Sequence, residues 1–297
     1  MANGYKKILK NKDFRLATLR FLRFIPDAFM LRLEYAIKLR KWLNLKNPKT
    51  FNEKLQWLKL HNRKPIHTTM VDKITAKPYA AAQIGEEYVV PTLGVWDHFD
   101  DIDFDSLPER FVLKCNHDSG SVVLCRDKNT FDKDGARALL TRQLGHNAYY
   151  FGREWPYKNV KPQIFAEVFL QDGAYEFLPV YKIFCFNGQP KLIQTIQNDK
   201  QPDETVDYFD TDWKRLDICQ DFPNSADPVK KPEKLQQMLE LAGKLSAGEP
   251  FLRIDFYVVN GKLYFSEFNF FTDAGFGEFT PESWDAVLGS WLNLPAS

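Results

Sequence analysis

Two pairs of polar residues near the C-terminus hold the clearest chemical potential in this chain: Arg253 with Asp255, and Glu267 with Asn269. Each pair is spaced i, i+2, so in a strand both members point to one face. Between them runs FYVVNGKLYFS, whose strand formers flank Asn260-Gly261, a sequence suited to a hairpin. Whether the pairs meet depends on the loop. A two-residue loop sets Glu267 on the face opposite Asp255. A three-residue loop from Val259 to Gly261, with Gly261 left-handed as a bulge, brings all four to one face. That face would carry two carboxylates and an amide, oxygen ligands suited to a hard cation such as Mg²⁺, beside a guanidinium. The plainer alternative is a hairpin with a solvated polar face.

Four other segments carry chemistry-bearing residues. Lys114 ends the strand FVLK and precedes CNHDSGS, a polar loop that could seat polyphosphate. Lys73 follows Asp72 at the start of an expected helix, with Lys77 one turn on; a solvated helix face explains these two individually. Glu167 interrupts the apolar run QIFAEVFL, where a buried carboxylate needs partners and an edge strand facing water would not. Lys182 is a lone cation in VYKIFCF. His117 reads as a loop hydrogen-bonder before a general base. Asp210-Thr211-Asp212 matches the DxD triplet with which many glycosyltransferases hold a metal and a nucleotide sugar. Asp101 and Asp103 match it equally well, and Asp210 and Asp212 read as turn residues before Trp213.

These residues need elements to position them. Apolar residues recur at helical spacing from Phe14 to Leu43 around Pro26, which predicts two basic amphipathic helices. Thr50 and Glu53 form a capping box for a helix through FNEKLQWLKL. A further helix is expected from Asp72 to Gly85, then strands YVVPTLGVW and ERFVLKCN around an acidic loop, a helix near Ala136 to Leu144 and an aromatic loop. Strands QIFAEVFL, LPVYKIFCFNG and PKLIQTIQ follow, then a helix from Pro232 to Ala247, the hairpin and a C-terminal tail. Strands and helices alternate without a βαβ rhythm, so the expected class is α+β with antiparallel lobes.

The chain has 297 residues, 44% hydrophobic and 15% aromatic, enough for one large or two modest domains. No apolar run approaches the roughly 18 residues of a membrane span, and the N-terminus lacks the features of a secretory signal. The scattered Cys115, Cys125, Cys185 and Cys219 suit reduced residues of a cytoplasmic protein. A net charge of +1 hides an asymmetry: residues 1–64 hold 17 Lys/Arg against 4 Asp/Glu, +13, which leaves −12 for the remainder. Such an arm suggests an anionic partner, whether polymer, lipid surface or nucleic acid, or packing onto the acidic body. Few aromatics are spaced for base stacking, so no nucleic acid is expected.

In this order, Lys73, Lys114, Glu167, Arg253, Asp255, Glu267 and Asn269 resemble the ATP-grasp ligases. The strings PKTFNEKLQWLK, FVLKCNHDSGS, VYKIFCFNG, YFDTDWKRL and DAGFGEFTPESWD resemble the TupA-like branch, associated with teichuronopeptide and capsular polysaccharide synthesis. The resemblance implies two α+β lobes clasping ATP: a basic helical segment at 1–68, a small lobe at 69–168 and a C-terminal lobe at 169–297 that carries the hairpin. It implies a ligase joining a carboxylate to an amine through an acylphosphate, with an amino acid or amine and a uronic acid or anionic glycan as substrates. A cytoplasmic site is implied, with possible contact at the inner face of the membrane; the competing reading is a glycosyltransferase. By position, Lys73 and Lys114 would contact ATP phosphates, with Ser119, Gly120 and Ser121 closing over them. Glu167 would accept from the adenine amine, with Val168 and Leu170 on the ring edge. Asp255, Glu267 and Asn269 would hold Mg²⁺; Arg253, Lys114 and Lys182 form the implied catalytic set. Thr272, Asp273 and Gly275 would meet the substrate being ligated. One departure stands out: the acid that grips ribose in relatives is Val180 here, so either Glu176 replaces it or the ribose is held more loosely.

Overall fold

The computed structural model of the protein describes residues 18–118 and 120–295. Two antiparallel sheets carry the architecture, each backed by helices, so the class is α+β as expected. The first sheet has the order β1-β4-β2-β3, from β1 (Thr92–Trp96), β2 (Phe111–Cys115), β3 (Val122–Cys125) and β4 (Ile164–Val168). The second has the order β7-β6-β5-β8-β9, from β5 (Val180–Phe186), β6 (Gln189–Gln197), β7 (Thr205–Phe209), β8 (Phe251–Val259) and β9 (Lys262–Asn269).

Period-two alternation explains how both sheets bury one face and offer the other. In β2, Phe111, Leu113 and Cys115 pack with Ala136 and Leu140 of α5 (Lys133–Leu144), while Val112 and Lys114 line a cleft on the opposite side. In β8, Leu252, Ile254 and Phe256 join the main core, together with Met238 and Leu241 of α6 (Leu235–Leu245). Their neighbours Arg253 and Asp255 therefore point the other way.

Ahead of the sheets lie α1 (Asp27–Leu39), α2 (Phe51–His61), α3 (Ile66–Val71) and α4 (Ala76–Ile84); α7 (Ser283–Trp291) closes the chain. The expected first helix is described only from residue 18, and the remainder of its range lies outside the described residues. The capping box is present: Thr50 Oγ1 accepts from Glu53 N at 3.3 Å, and Thr50 N donates to Glu53 Oε2 at 3.2 Å. Among the described residues no helix is long and apolar enough to cross a membrane.

Several expectations need correction. The helix placed at Asp72 to Gly85 begins only at Ala76. Asp72 instead accepts from Asn116 Nδ2 and Ile74 N, both at 2.9 Å, which pins the α3–α4 turn to the end of β2. The hairpin loop has two residues, since Val259 pairs with Lys262, and Asn260 and Gly261 have φ of 49° and 73°. Those left-handed values suit a type I′ turn. The four polar residues still share a face, because Ser266 forms a bulge: Phe256 pairs with Phe265, yet Asp255 pairs with Glu267. Strands β3 and β7 and helix α7 went unread in the sequence.

Candidate active site

A cavity of about 310 Å³ opens between the sheets. Val112, Leu124, Val180, Tyr257 and Phe265 give it apolar walls, and Lys114, Glu167 and Ser266 sit among them. Val168, Leu170, Glu176 and Gly120 also line it. Of the expected residues here, Ser119 lies outside the described residues. Ser121 is buried and turned inward, its hydroxyl donating to Asp118 and accepting from Cys115 N at 3.2 Å.

Glu167 is not on an edge. Strand β4 lies between β1 and β2, and the Glu167 side chain is buried. One of its oxygens accepts from Lys77 Nζ at 2.6 Å and the other from Lys114 Nζ. Lys77 thus belongs to the buried site and not to a solvated helix face. Burial would raise the Glu167 carboxyl, but the two ammonium groups hold it below the usual carboxylate value. Lys73 is likewise turned inward, donating to Asp118 O at 2.7 Å and lying 3.3 Å from Glu267 Oε2.

The hairpin supplies the second half of the site. Strand pairing sets Lys182 opposite Asp255, and Asp255 opposite Glu267, so a polar row crosses β5, β8 and β9. The same register extends it through Gln194 and Tyr208 to the far edge of the sheet. Arg253 donates to both Asp255 oxygens at 2.7 and 2.8 Å and to Thr272 Oγ1 at 3.0 Å; its Nη2 is 3.6 Å from Glu267. Asn269, opposite Arg253, accepts from Phe271 N at 3.0 Å. Against the cost of burial, Lys73, Arg253 and Lys182 hold the Glu267 carboxyl down to about 2. Burial, reinforced by Arg253, lowers Lys182 below an ordinary lysine. Among the described residues no three His, Cys, Asp or Glu side chains gather as a metal site. The hairpin offers two carboxylates, and its third oxygen is the Asn269 amide.

A sequence model of the TupA-like ATP-grasp family matches residues 53–293, which takes in both sheets and every described residue of this cleft. The chain belongs to the TupA-like ATP-grasp family. Proteins of this fold are also the structural neighbours. D-alanine–D-alanine ligase from Bacillus anthracis, complexed with ATP, is 16% identical over 68% of this chain and 55% of its own, with a TM-score of 0.39. D-alanine–D-alanine ligase from Helicobacter pylori is 15% identical over 82% and 69%, TM-score 0.38. A RimK-domain ATP-grasp protein from Sphaerobacter thermophilus is 12% identical over 78% and 70%, TM-score 0.42. The TupA-like chain thus spans little more than half the length of the first of these. Among curated proteins none matches it significantly. ATP-grasp ligases in general use ATP and Mg²⁺.

The TupA-like protein also has a buried group that sequence reasoning passed over. Lys59, on α2, is fully buried and donates to Gln56 Oε1, Gly152 O and Ala274 O at 2.9, 2.6 and 2.7 Å. Burial pushes this ammonium down to about 7, and burial likewise pushes the Glu154 carboxyl up to about 7. Ala274 belongs to the turn Thr272–Gly275, where Asp273, Ala274 and Gly275 are all left-handed, with φ of 48°, 51° and 65°. Two such non-glycine residues in a row cost about 1–2 kcal/mol each, so outside contacts must hold the turn. Lys59 and Gln56 supply them from α2, and Gln220 donates to Asp273 Oδ2 at 2.8 Å. The only signal in the sequence was a lysine inside an otherwise amphipathic helix.

Other residues take structural roles. Asp210 Oδ1 accepts from Asp212 N at 3.0 Å and Lys214 N at 2.8 Å, so the DxD triplet caps its own turn, as expected. His117 is buried with its nitrogens 3.2 Å from Asn116 Oδ1 and Gln143 O. The four cysteines are free.

Proposed function

We propose that the protein is an ATP-dependent carboxylate–amine ligase that joins an amino acid to a uronic acid of a surface or capsular polysaccharide. The observation that carries this reading is the row Lys182–Asp255–Glu267, with Arg253 beside it, on the same sheet face as Val180 and Tyr257, which wall the apolar cleft. Adenine would lie between Val112 and Leu124 on one side and Val180 and Tyr257 on the other, with Val168 and Leu170 at its edge. Glu167 would reach the adenine amine only by sharing oxygens already engaged by Lys77 and Lys114. Glu176, which lines the same cavity, is the candidate for the ribose.

A carboxylate does not react with an amine at neutral pH until it has a better leaving group. Lys73, Lys114 and Lys182 supply fixed positive charge along the polyphosphate, and Arg253 faces the oxygens that exchange partners. Asp255, Glu267 and Asn269 fit Mg²⁺ by donor type, all oxygen on paired residues, with further ligands from phosphate and water. Bound there, Mg²⁺ would neutralise phosphate charge. The substrate carboxylate oxygen attacks the γ-phosphorus, and the bond to ADP breaks. The amine nitrogen then attacks the acyl carbon of the acylphosphate, phosphate leaves, and the proton passes to a carboxylate or to water. Thr272, Asp273 and Gly275 would position the substrate, because Thr272 accepts directly from Arg253. A cytoplasmic site follows from the need for ATP.

ADP release from ATP and Mg²⁺, screened across amino acids and uronic acids, tests the reading. Hydroxylamine in place of the amine should trap the activated carboxylate as a hydroxamate. Formation of AMP, or turnover of a nucleotide sugar without ATP, would reject it.

A further inference from the structure

One surface of the molecule plays no part in the cleft. Helix α1 turns Met30, Leu31, Glu34 and Tyr35 inward. Its outward face carries Phe29, Leu33 and Ile37 at i, i+4 and i+8, a single apolar stripe. Phe21 and Phe24 extend the stripe at one end and Trp42 at the other, and all six side chains are between 42% and 86% exposed. Of the fourteen large hydrophobic residues exposed among the described residues, these six fall within positions 21–42. An apolar surface of this extent marks an interaction site.

Charge identifies the partner. Residues 18–49 contain eight Lys/Arg and two acids. Both acids are engaged: Asp27 pairs with Arg63 at 2.7 Å, and buried Glu34 pairs with Lys38 at 2.6 Å. Arg20, Arg23, Arg32 and Arg40 are exposed beside the stripe. Five more Lys/Arg precede residue 18 in the sequence. A basic helix with an exposed Phe/Leu/Trp face is built for the headgroup layer of an anionic bilayer, where apolar side chains sink and cations meet lipid phosphates. A polyanionic glycan would satisfy the arginines and leave the stripe in water. The acidic body, at −12, is repelled from the same bilayer, so the charge asymmetry also fixes which side faces it.

We propose that α1 and its flanks dock the protein on an anionic membrane surface, with Phe29, Leu33 and Ile37 inserted and Phe21, Phe24 and Trp42 at the interface. The inner face of this helix backs on the substrate turn. Tyr35 stacks 6.3 Å from Phe276, and Lys38 Nζ lies 3.8 Å over the same ring, directly after Gly275. If the ligase reading holds, and this corollary alone rests on it, the acceptor approaches from the bilayer side.

Sedimentation of the full chain with vesicles of phosphatidylcholine alone, or with 30 mol% phosphatidylglycerol, tests the docking, about 30 being chosen to mimic an anionic leaflet. The protein should pellet with the anionic vesicles and stay free of the neutral ones. Replacing all of Phe29, Leu33 and Ile37 with Ser should weaken partitioning by about 30-fold or more. R20E/R23E should weaken it by roughly 25-fold, and added salt should weaken the wild type. Phe21→Ser with Trp42→Ser is the second variant, should the triple one misfold. ADP release with free substrates should not change in any of them, which separates failed docking from a failed ligase reading. The proposal is overturned if the serine variants pellet like wild type. It is overturned equally if polygalacturonate, and not lipid, binds the arm, or if the stripe proves to hold two copies of the chain together in solution.

Discussion

Two charged clusters are built on opposite arithmetic: one lines the cleft, and the other lies on the sheet face that Val180 and Tyr257 present to it. At Glu167 one buried carboxylate meets two lysines, and each of its oxygens is engaged. At the hairpin two carboxylates face each other across β8 and β9. Asp255 is held in a two-point bond by Arg253, whereas Glu267 has only longer contacts, at 3.3 Å to Lys73 and 3.6 Å to Arg253. The Glu267 side chain is also 31% exposed, against 8% for Glu167. A closed cluster orients its members; a loosely held one can take a ligand. The first therefore sets Lys77 and Lys114 in place, and the second is where a cation and phosphates could be received.

Substitutions should separate the two. Glu267→Ala should lower ligation on the order of 10³-fold, measured as ADP release, while urea unfolding shifts little. Asp255→Ala should lower ligation as far but also cost stability, because buried Arg253 loses both of its bonds to that carboxylate. Glu167→Ala should do the reverse first. It removes the carboxylate that two ammonium groups share in a buried site, leaving Lys77 only the Thr92 hydroxyl, and stability should fall by about 3–5 kcal/mol by the same unfolding measurement. A stable Glu167→Ala protein with no activity would erase the distinction between a closed and an open cluster.

The two clusters were also unequally legible in the sequence. The polar pairs of the hairpin were visible because i, i+2 spacing survives any strand, and their convergence was expected. Spacing alone calls for a three-residue loop, while the chain makes a two-residue turn and recovers register with a bulge at Ser266. Periodicity within one strand says nothing about where its partner slips. The Glu167 cluster was half visible: a charge inside QIFAEVFL demanded partners, but the helix carrying Lys77 gave no sign of facing it. Lys59 was illegible for the same reason, since its acceptors lie on Gly152 and Ala274, far along the chain. Strands β3 and β7, only four and five residues long, take their identity from the neighbours they pair with.

Acid should sharpen the contrast. Lys114 and Lys77 hold the Glu167 carboxyl below its unfolded value of 4.5, so its contribution to stability is fully present above that pH. The contribution is lost as pH falls through the lower folded value, because the folded state then takes up a proton only after the unfolded chain has done so. In Glu167→Gln the acid limb of the unfolding curve should flatten relative to wild type. Parallel acid limbs would mean that the lysines are not working against this carboxylate.

The smallest expected effect concerns the turn beside the open cluster. Asp273 and Ala274 sit in left-handed backbone that their side chains disfavour, and Lys59 holds the Ala274 carbonyl from α2. Lys59→Met keeps the bulk of the side chain and removes its three donated bonds. The turn should then relax, and with it Thr272, whose hydroxyl accepts from Arg253. KM for the acceptor should rise about tenfold, the cost of roughly one lost hydrogen bond to a charged donor, while KM for ATP stays put. Titration provides an independent reading of the same contact. Burial lowers Lys59 to about 7, so raising pH through that value removes its proton and one of its donors. The acceptor KM should climb over that interval in the wild type and stay flat in Lys59→Met. If both proteins show the same pH profile, Lys59 is filling space in the core, and the turn is held by Gln56 and Gln220 alone.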